Sequence, residues 1–174
     1  MAETLADKSE DRAVVPRLEP AEVEVIQLFV QFSRALGQPR SVAELYGLLF
    51  ISPEPLTMDA LIARLQLSKG SASQGLKYLQ DLGAVRTVYL AGERRTHYEA
   101  VAELRHLAGR FLNQQIWSHF EDSETRLERM AEQAQKLSGE QRKHVSERIK
   151  LLRSWESNMR RVMPFVLKIL GEGS

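Results

Sequence analysis

Polar and charged side chains crowd one short run of the sequence, "LSKGSASQGLKYLQDLGAV" at 67–85. Lys69 and Lys77 carry the point charges that neutralise phosphates. The hydroxyls of Ser68 and Ser71 suit phosphate oxygens, as do the N–H groups that any helix leaves unpaired in its first turn. Gln74 presents a donor and an acceptor side by side, the pairing that reads an adenine edge in a major groove. Ser73 suits either kind of base edge. Gly70 adds no bulk, so a large partner can approach this end closely, and Tyr78 falls on the same outer faces. Further on, Arg86 and the pair Arg94 and Arg95 supply guanidinium groups, the last two at a loop tip where they can enter a minor groove or grip a backbone.

Charge gathers in the same place. From Arg64 to His97 the cations Arg64, Lys69, Lys77, Arg86, Arg94 and Arg95 face only Asp81 and Glu93, a local +4 within 174 residues whose formal net charge is +1. Acidic residues elsewhere discourage indiscriminate nucleic-acid binding. Other chemistries find little support. There is no cysteine, which excludes disulfides and thiolate sites. His97, His106, His119 and His144 lack partners at metal-ligand spacing, and a solvated surface position is expected for each. "GERR" at 92–95 lacks the length and the Lys-Ser/Thr ending of a phosphate loop. No enzyme, no cofactor and no metal are expected.

An apolar content of 43% supports a real core. No apolar run approaches the ~20 residues of a membrane span. The polar, acidic-leaning start holds no hydrophobic signal core. The expectation is a cytoplasmic protein without a membrane partner, nucleoid-associated when bound to DNA.

The elements that must position these residues follow from spacing. Residues 1–19 read as a disordered lead-in. From Ala21 an apolar stripe (Val23, Ile26, Leu28, Phe29, Phe32) predicts a helix ended by Gly37 and Pro39. Ser41 and Glu44 stand in capping-box spacing before a second helix, broken by the prolines at 53 and 55. Thr57 is the expected N-cap of a third, "TMDALIARLQL", with Asp59 in its first turn. Ser68 caps a fourth that Gly83 closes. In it Ala72, Leu76, Leu79 and Leu82 form the buried stripe, with Gly75 beside it where helices can pack closely. "AVRTVYL" and "RTHYEAV", joined by "AGER", predict a β-hairpin.

Beyond Glu103 apolar residues continue at helical spacing to Leu137, which predicts one helix of about 35 residues, roughly 50 Å long. Gly109 is a candidate bend. Ser138 and Gln141 give another capping-box signature before a second long helix, which Pro164 should kink or break. Two such helices cannot bury both apolar stripes against a compact domain of under 90 residues, so a second copy is expected to cover the remainder. An internal antiparallel hairpin is the alternative.

The order helix, helix, helix, short turn, helix, hairpin is that of a winged helix-turn-helix, with "SKGSASQGLKYLQDLG" as the recognition helix and "RTVYLAGERRTHY" as the wing. The fold class is therefore mainly α with a small β-hairpin. A winged helix-turn-helix domain at 20–102 is followed by a helical dimerisation region at 103–174. Double-stranded DNA is the expected partner. A winged helix that docks protein without sequence-specific DNA binding is the rival.

The blocks "YGLL…PLT", "SKGSAS", "LGAV" and "GERRTHYEA" between Tyr46 and Ala100 closely resemble the MarR superfamily of bacterial transcriptional regulators, in its GbsR-like branch. The resemblance implies a homodimer with two recognition helices in successive major grooves of a pseudo-palindromic operator, and control of transcription, usually repression. It also implies a small-molecule effector of unspecified identity. A choline-like effector would need an aromatic cage. Phe111, Trp117, Phe120 and Trp155 are the candidates, lining a pocket between the long helices and the winged domain, while plain core is the competing reading of aromatics at that spacing.

Overall fold

The computed structural model describes residues 17–171 except 116 and 121, together with the backbone but not the side chain of residue 119. The expected lead-in thus lies almost entirely outside the described residues. The chain divides into two compact units, Met1–Ala102 and Glu103–Ser174.

In the first unit, α1 (Pro20–Ala35) and α2 (Arg40–Ile51) pack side by side. Gly47 permits the approach, since a Cβ there would lie 3.0 Å from the Ile26 Cα. Phe29 of α1 meets Tyr46 and Phe50 of α2 edge-on, with ring centroids 5.0 and 5.4 Å apart. A two-residue strand β1 (Leu56–Thr57) leads into α3 (Met58–Leu65), and a three-residue turn into α4 (Lys69–Asp81). That turn is tight because Gln66 takes the left-handed conformation, φ 55°. Strands β2 (Val85–Val88) and β3 (His97–Ala100) follow, giving a three-stranded antiparallel sheet in the order β1-β3-β2. The core is carried by Leu45, Leu48, Leu61 and Leu76, which are fully buried. Tyr46 fastens α2 beneath the sheet, its hydroxyl donating to the Val101 carbonyl at 2.9 Å.

Several sequence expectations hold here. The Thr57 side chain accepts from Ala60 N at 3.2 Å, and Ser68 caps α4. Gly83 ends α4 at φ 70°. Others need correction. The second helix begins at Arg40 after Pro39, with no side-chain cap, and Glu44 is bound to the Arg40 guanidinium at 2.7 Å instead of serving Ser41. β1 is an addition: a two-residue strand is too short to show alternation. The hairpin connection spans eight residues, 89–96, rather than the "AGER" tip alone.

The second unit departs further from expectation. The predicted 35-residue helix is two helices, α5 (Leu104–Gln115) and α6 (Ser123–Gln135), separated by a 3-10 turn at Trp117–Phe120. Gly109 is buried inside an unbroken stretch of α5. The interruption comes where side chains take over backbone carbonyls. The Ser118 hydroxyl donates to Gln114 O at 2.6 Å, that of Ser123 to Phe120 O at 2.6 Å, and Arg160 Nη2 to Phe120 O at 3.1 Å. α7 (Gly139–Ile169) starts at Ser138 as expected, without a side-chain capping bond, and runs through Pro164 to its end. Proline costs one backbone bond and a clash in a helix interior, yet here the helix continues past it.

Candidate nucleic-acid interface

α4 owes its position to the stripe predicted from its sequence. Ala72, Leu76, Leu79 and Leu82 are buried. Gly75 is also buried, and a Cβ on it would come within 2.5 Å of the buried Leu45 side chain, so only glycine lets α4 lie this close to α2. Gly70 has a different role. A Cβ there would meet nothing nearer than the Ser68 hydroxyl at 4.0 Å, so no packing within the protein requires a glycine.

Lys69, Gly70, Ser73, Gln74 and Lys77 are exposed and Ser71 is half-buried. The two serines at the helix start engage one another: Ser68 Oγ accepts from Ser71 N at 3.1 Å and donates to Ser71 Oγ at 2.9 Å. Their hydroxyls are thus partly used by the cap, and the first-turn N–H groups of Lys69 and Gly70 are left as outward donors. Tyr78 is half-buried, and its enclosed hydroxyl has no hydrogen-bond partner among the described residues. Burial pushes its pKa up. It borders a hollow of about 380 Å³ whose walls include Ser71 and Gln74 of α4, Ser41 of α2 and Pro39 just before it, so it stands less outward than its neighbour Lys77.

The cations divide into bound and unbound. Arg64 is turned inward, pairing with Glu22 of α1 at 2.5 Å, and both side chains are largely buried. Arg86 pairs with Glu99 across the β2–β3 ladder, and Arg95 with Glu93 at 3.6 Å on the wing. Lys69, Lys77 and Arg94 make no ion pair with any described residue. The patch is therefore narrower than the local +4 suggests, because Glu99, just past the counted window, and Glu22, on the distant α1, take up two of its cations. Tyr89, which the sequence reading passed over, is a large apolar side chain of the wing left 84% exposed. Its place at the end of a strand, next to Leu90, was the available signal.

The histidine expectation fails at one position. His97 is buried in β3, the central strand, with Nδ1 3.0 Å from Arg95 O. His144 is exposed, while His106 is partly exposed and pairs with Glu103 at 2.8 Å. The side chain of His119 lies outside the described residues. Among the described residues, no group of three His, Asp or Glu side chains is placed to hold a metal. None of the described helices is long and apolar enough to cross a membrane.

In the second unit three of the four candidate ligand-binding aromatics come together. Trp117 and Phe120 stack with centroids 6.1 Å apart, and Phe120 lies 5.5 Å from Trp155. Phe111 is half-buried on α5. Next to Trp155 stands Glu156, a buried carboxylate that sequence reasoning missed although its i,i+4 spacing to Arg160 was visible. Arg160 Nη2 bonds it at 2.6 Å and Ser123 Oγ donates to it at 3.0 Å. The negative charge that would attract a quaternary ammonium is thus already engaged by the chain's own guanidinium.

No family profile matches the chain. It is 36% identical over 83 residues to the HTH-type transcriptional repressor GbsR of Bacillus subtilis (strain 168), a stretch covering 48% of this chain and 46% of that protein. It is 27% identical over 82 residues to YvaV of the same organism, over 47% and 46% of the two chains. The matched stretch thus spans about half the length of these curated relatives. A crystal structure of a transcriptional regulator superposes with a TM-score of 0.62 at 19% identity, covering 88% of this chain and 99% of that one, and shares the fold.

Proposed function

We propose that this chain, a MarR-like and GbsR-like winged-helix protein, is a DNA-binding transcription regulator that acts as a homodimer on a pseudo-palindromic operator. The observation that carries the reading is the division of α4. One face is buried through Leu76 and Leu79, with Gly75 set close against α2, and the other presents Lys69, Ser73, Gln74 and Lys77 to solvent. A rigidly held helix with unpaired cations and a base-reading amide suits a major groove, and Arg94 on the wing suits the adjoining backbone. The relative's description as a repressor supports repression by occupancy of the operator. Response to a small effector belongs to the same proposal, as does action in the cytoplasm on the nucleoid.

Dimerisation is supported by α7, which leaves Leu151, Leu152, Trp155, Val162, Phe165 and Ile169 exposed. A single chain rarely leaves so much apolar surface open unless something covers it.

Fluorescence anisotropy with DNA flanking the chain's own gene, across a salt series, tests the reading. Lys77→Ala and Arg94→Ala should each weaken binding across many sequences and flatten the salt slope by about one unit. Gln74→Ala should relax preference at one base position, at a cost of ~1–3 kcal/mol. Absence of binding even at low salt refutes the proposal and leaves protein docking as the role of the winged unit.

A further inference from the structure

By sequence Arg64 belongs to the basic run beside α4, yet its guanidinium is turned inward to Glu22, with the two side chains only 14% and 13% exposed. The Glu22 oxygen that takes Arg64 Nη2 at 2.5 Å also accepts from Glu19 N at 2.9 Å, where it closes the start of α1. Arg64 Nε is enclosed and has no hydrogen-bond partner among the described residues. One largely buried acid thus joins the first turn of α1 to the last turn of α3.

What this joint holds follows from how little else does. α3 has eight residues and fully buries one of them, Leu61. The turn after it is stiff. The Ile62 carbonyl accepts from both Gln66 N and Leu67 N, and Gln66 is fixed in the left-handed region. A tilt of α3 therefore carries the start of α4 with it. α4 itself is anchored unevenly. Its large buried side chains, Leu76 and Leu79, lie in the second half, whereas the first half buries only Ala72 and Gly75. Lys69, Ser73 and Gln74 stand exposed on that lightly held half. Contacts to base edges tolerate only small displacements, so a helix start packed through small residues needs its aim set from outside.

We infer that Arg64 is a positioning residue for DNA reading: held by Glu22, it fixes the α3–α4 turn and with it the aim of Lys69, Ser73 and Gln74, and it meets no phosphate itself. The inference rests on the reading of α4 as the DNA-contacting helix. It makes Glu22, an acid, a residue that DNA binding requires.

Anisotropy titrations of the full chain test this, on the duplex that the parent chain selects from a random pool. Glu22→Gln removes the charge and keeps an acceptor for Glu19 N. Arg64→Met removes the cation and keeps most of the length. Each should weaken binding by about ten-fold, with the slope of affinity against salt unchanged. The double substitution should be within about two-fold of either single one, because both break the same joint. Urea unfolding beside each titration sets conditions in which the chain is fully folded, and Glu22→Gln carries the test alone if Arg64→Met does not fold. A phosphate-bound Arg64 gives the opposite pattern. Glu22→Gln would then strengthen binding, by removing an acid and freeing the guanidinium, and Arg64→Met would flatten the salt slope by about one unit. Either result overturns the inference. So does a lowered unfolding midpoint with DNA affinity unchanged, which makes the pair a stabilising contact alone. A parent chain that selects no duplex removes the inference together with the DNA reading, whereas the other adverse outcomes, in a parent that binds, remove the inference only.

Discussion

In the winged unit, α4 turns its large apolar side chains inward, with Leu76 2% and Leu79 3% exposed. In the helical unit, α7 leaves Leu151 61%, Trp155 57% and Phe165 66% exposed. Both helices are amphipathic, so the difference lies in what is available to cover the apolar face. α4 has α2, α3 and β2 around it, whereas α7 meets α5, α6 and the 3-10 turn along a much longer span. The first unit is thus built to hold an exposed polar face still, while the second leaves an apolar face open, the feature that the proposed homodimer rests on.

The largest expected effect separates these two roles. Leu76→Ala should destabilise the winged unit by ~2–5 kcal/mol, the cost of a cavity in a closed core. Leu151→Ala should change the stability of a dilute monomer by no more than about 0.5 kcal/mol, yet weaken self-association. The probes are built in. All four tyrosines (Tyr46, Tyr78, Tyr89, Tyr98) lie in the winged unit and both tryptophans (Trp117, Trp155) in the helical one. Denaturation followed by each signal, with sedimentation equilibrium for mass, reads both outcomes. A Leu151→Ala cost as large as that of Leu76→Ala in the monomer would break the comparison.

A second effect, nearly as large, belongs to the winged unit and appears at alkaline pH. Tyr46 is 3% exposed, and burial pushes its phenol from the ordinary 10.0 up to about 12. The folded state holds the proton more tightly than the unfolded chain. The associated stability is therefore complete below pH 10 and is lost as pH rises through 12, about 2–3 kcal/mol in all. Tyr46→Phe should remove this alkaline slope. At neutral pH it should cost about 1 kcal/mol, for the bond to Val101 O. Absorbance titration of the tyrosines alongside unfolding at several pH values checks it.

The same contrast governs how much could be read before the fold was seen. In the winged unit local chemistry and tertiary packing agree. Thr57 and Ser68 cap, Gly83 turns, and the Ala72, Leu76, Leu79, Leu82 stripe is buried as its spacing demands. What escaped there was non-local: Glu22 and Glu99 claim Arg64 and Arg86 from distant elements, and β1 exists only through its pairing with β3. In the helical unit the apolar stripe runs from α5 into α6 without a change of period. The break between them depends on Ser118, Ser123 and Arg160 reaching backbone carbonyls. Periodicity reports which face is apolar, and is silent on where side chains compete for the backbone. Of the candidate site, the outward set on α4 was legible because it is what the stripe leaves over. The inward turn of Arg64 was not, because its partner Glu22 stands 42 residues away.

The smallest of these effects sharpens the comparison from the acid side. Hydrogen bonds from Arg160, with a further one from Ser123, hold the Glu156 carboxyl below its usual range against the opposing cost of burial. A depressed folded-state pKa stabilises above the unfolded value, and the contribution is lost as pH falls through the folded one. Mild acid should therefore loosen the joint between α6, the 3-10 turn and α7, while the alkaline transition centred on Tyr46 loosens the winged unit. Glu156→Gln keeps the shape and removes the charge. It should cost about 1–2 kcal/mol at neutral pH, since Arg160 is partly open to water, and flatten the acid slope. Tryptophan fluorescence is the reporter, because Trp155 adjoins Glu156 in sequence and its ring lies against that of Phe120, whose carbonyl Arg160 also holds. An acid transition that shifts the tryptophan signal equally in the parent and in Glu156→Gln would mean that another carboxylate governs the helical unit.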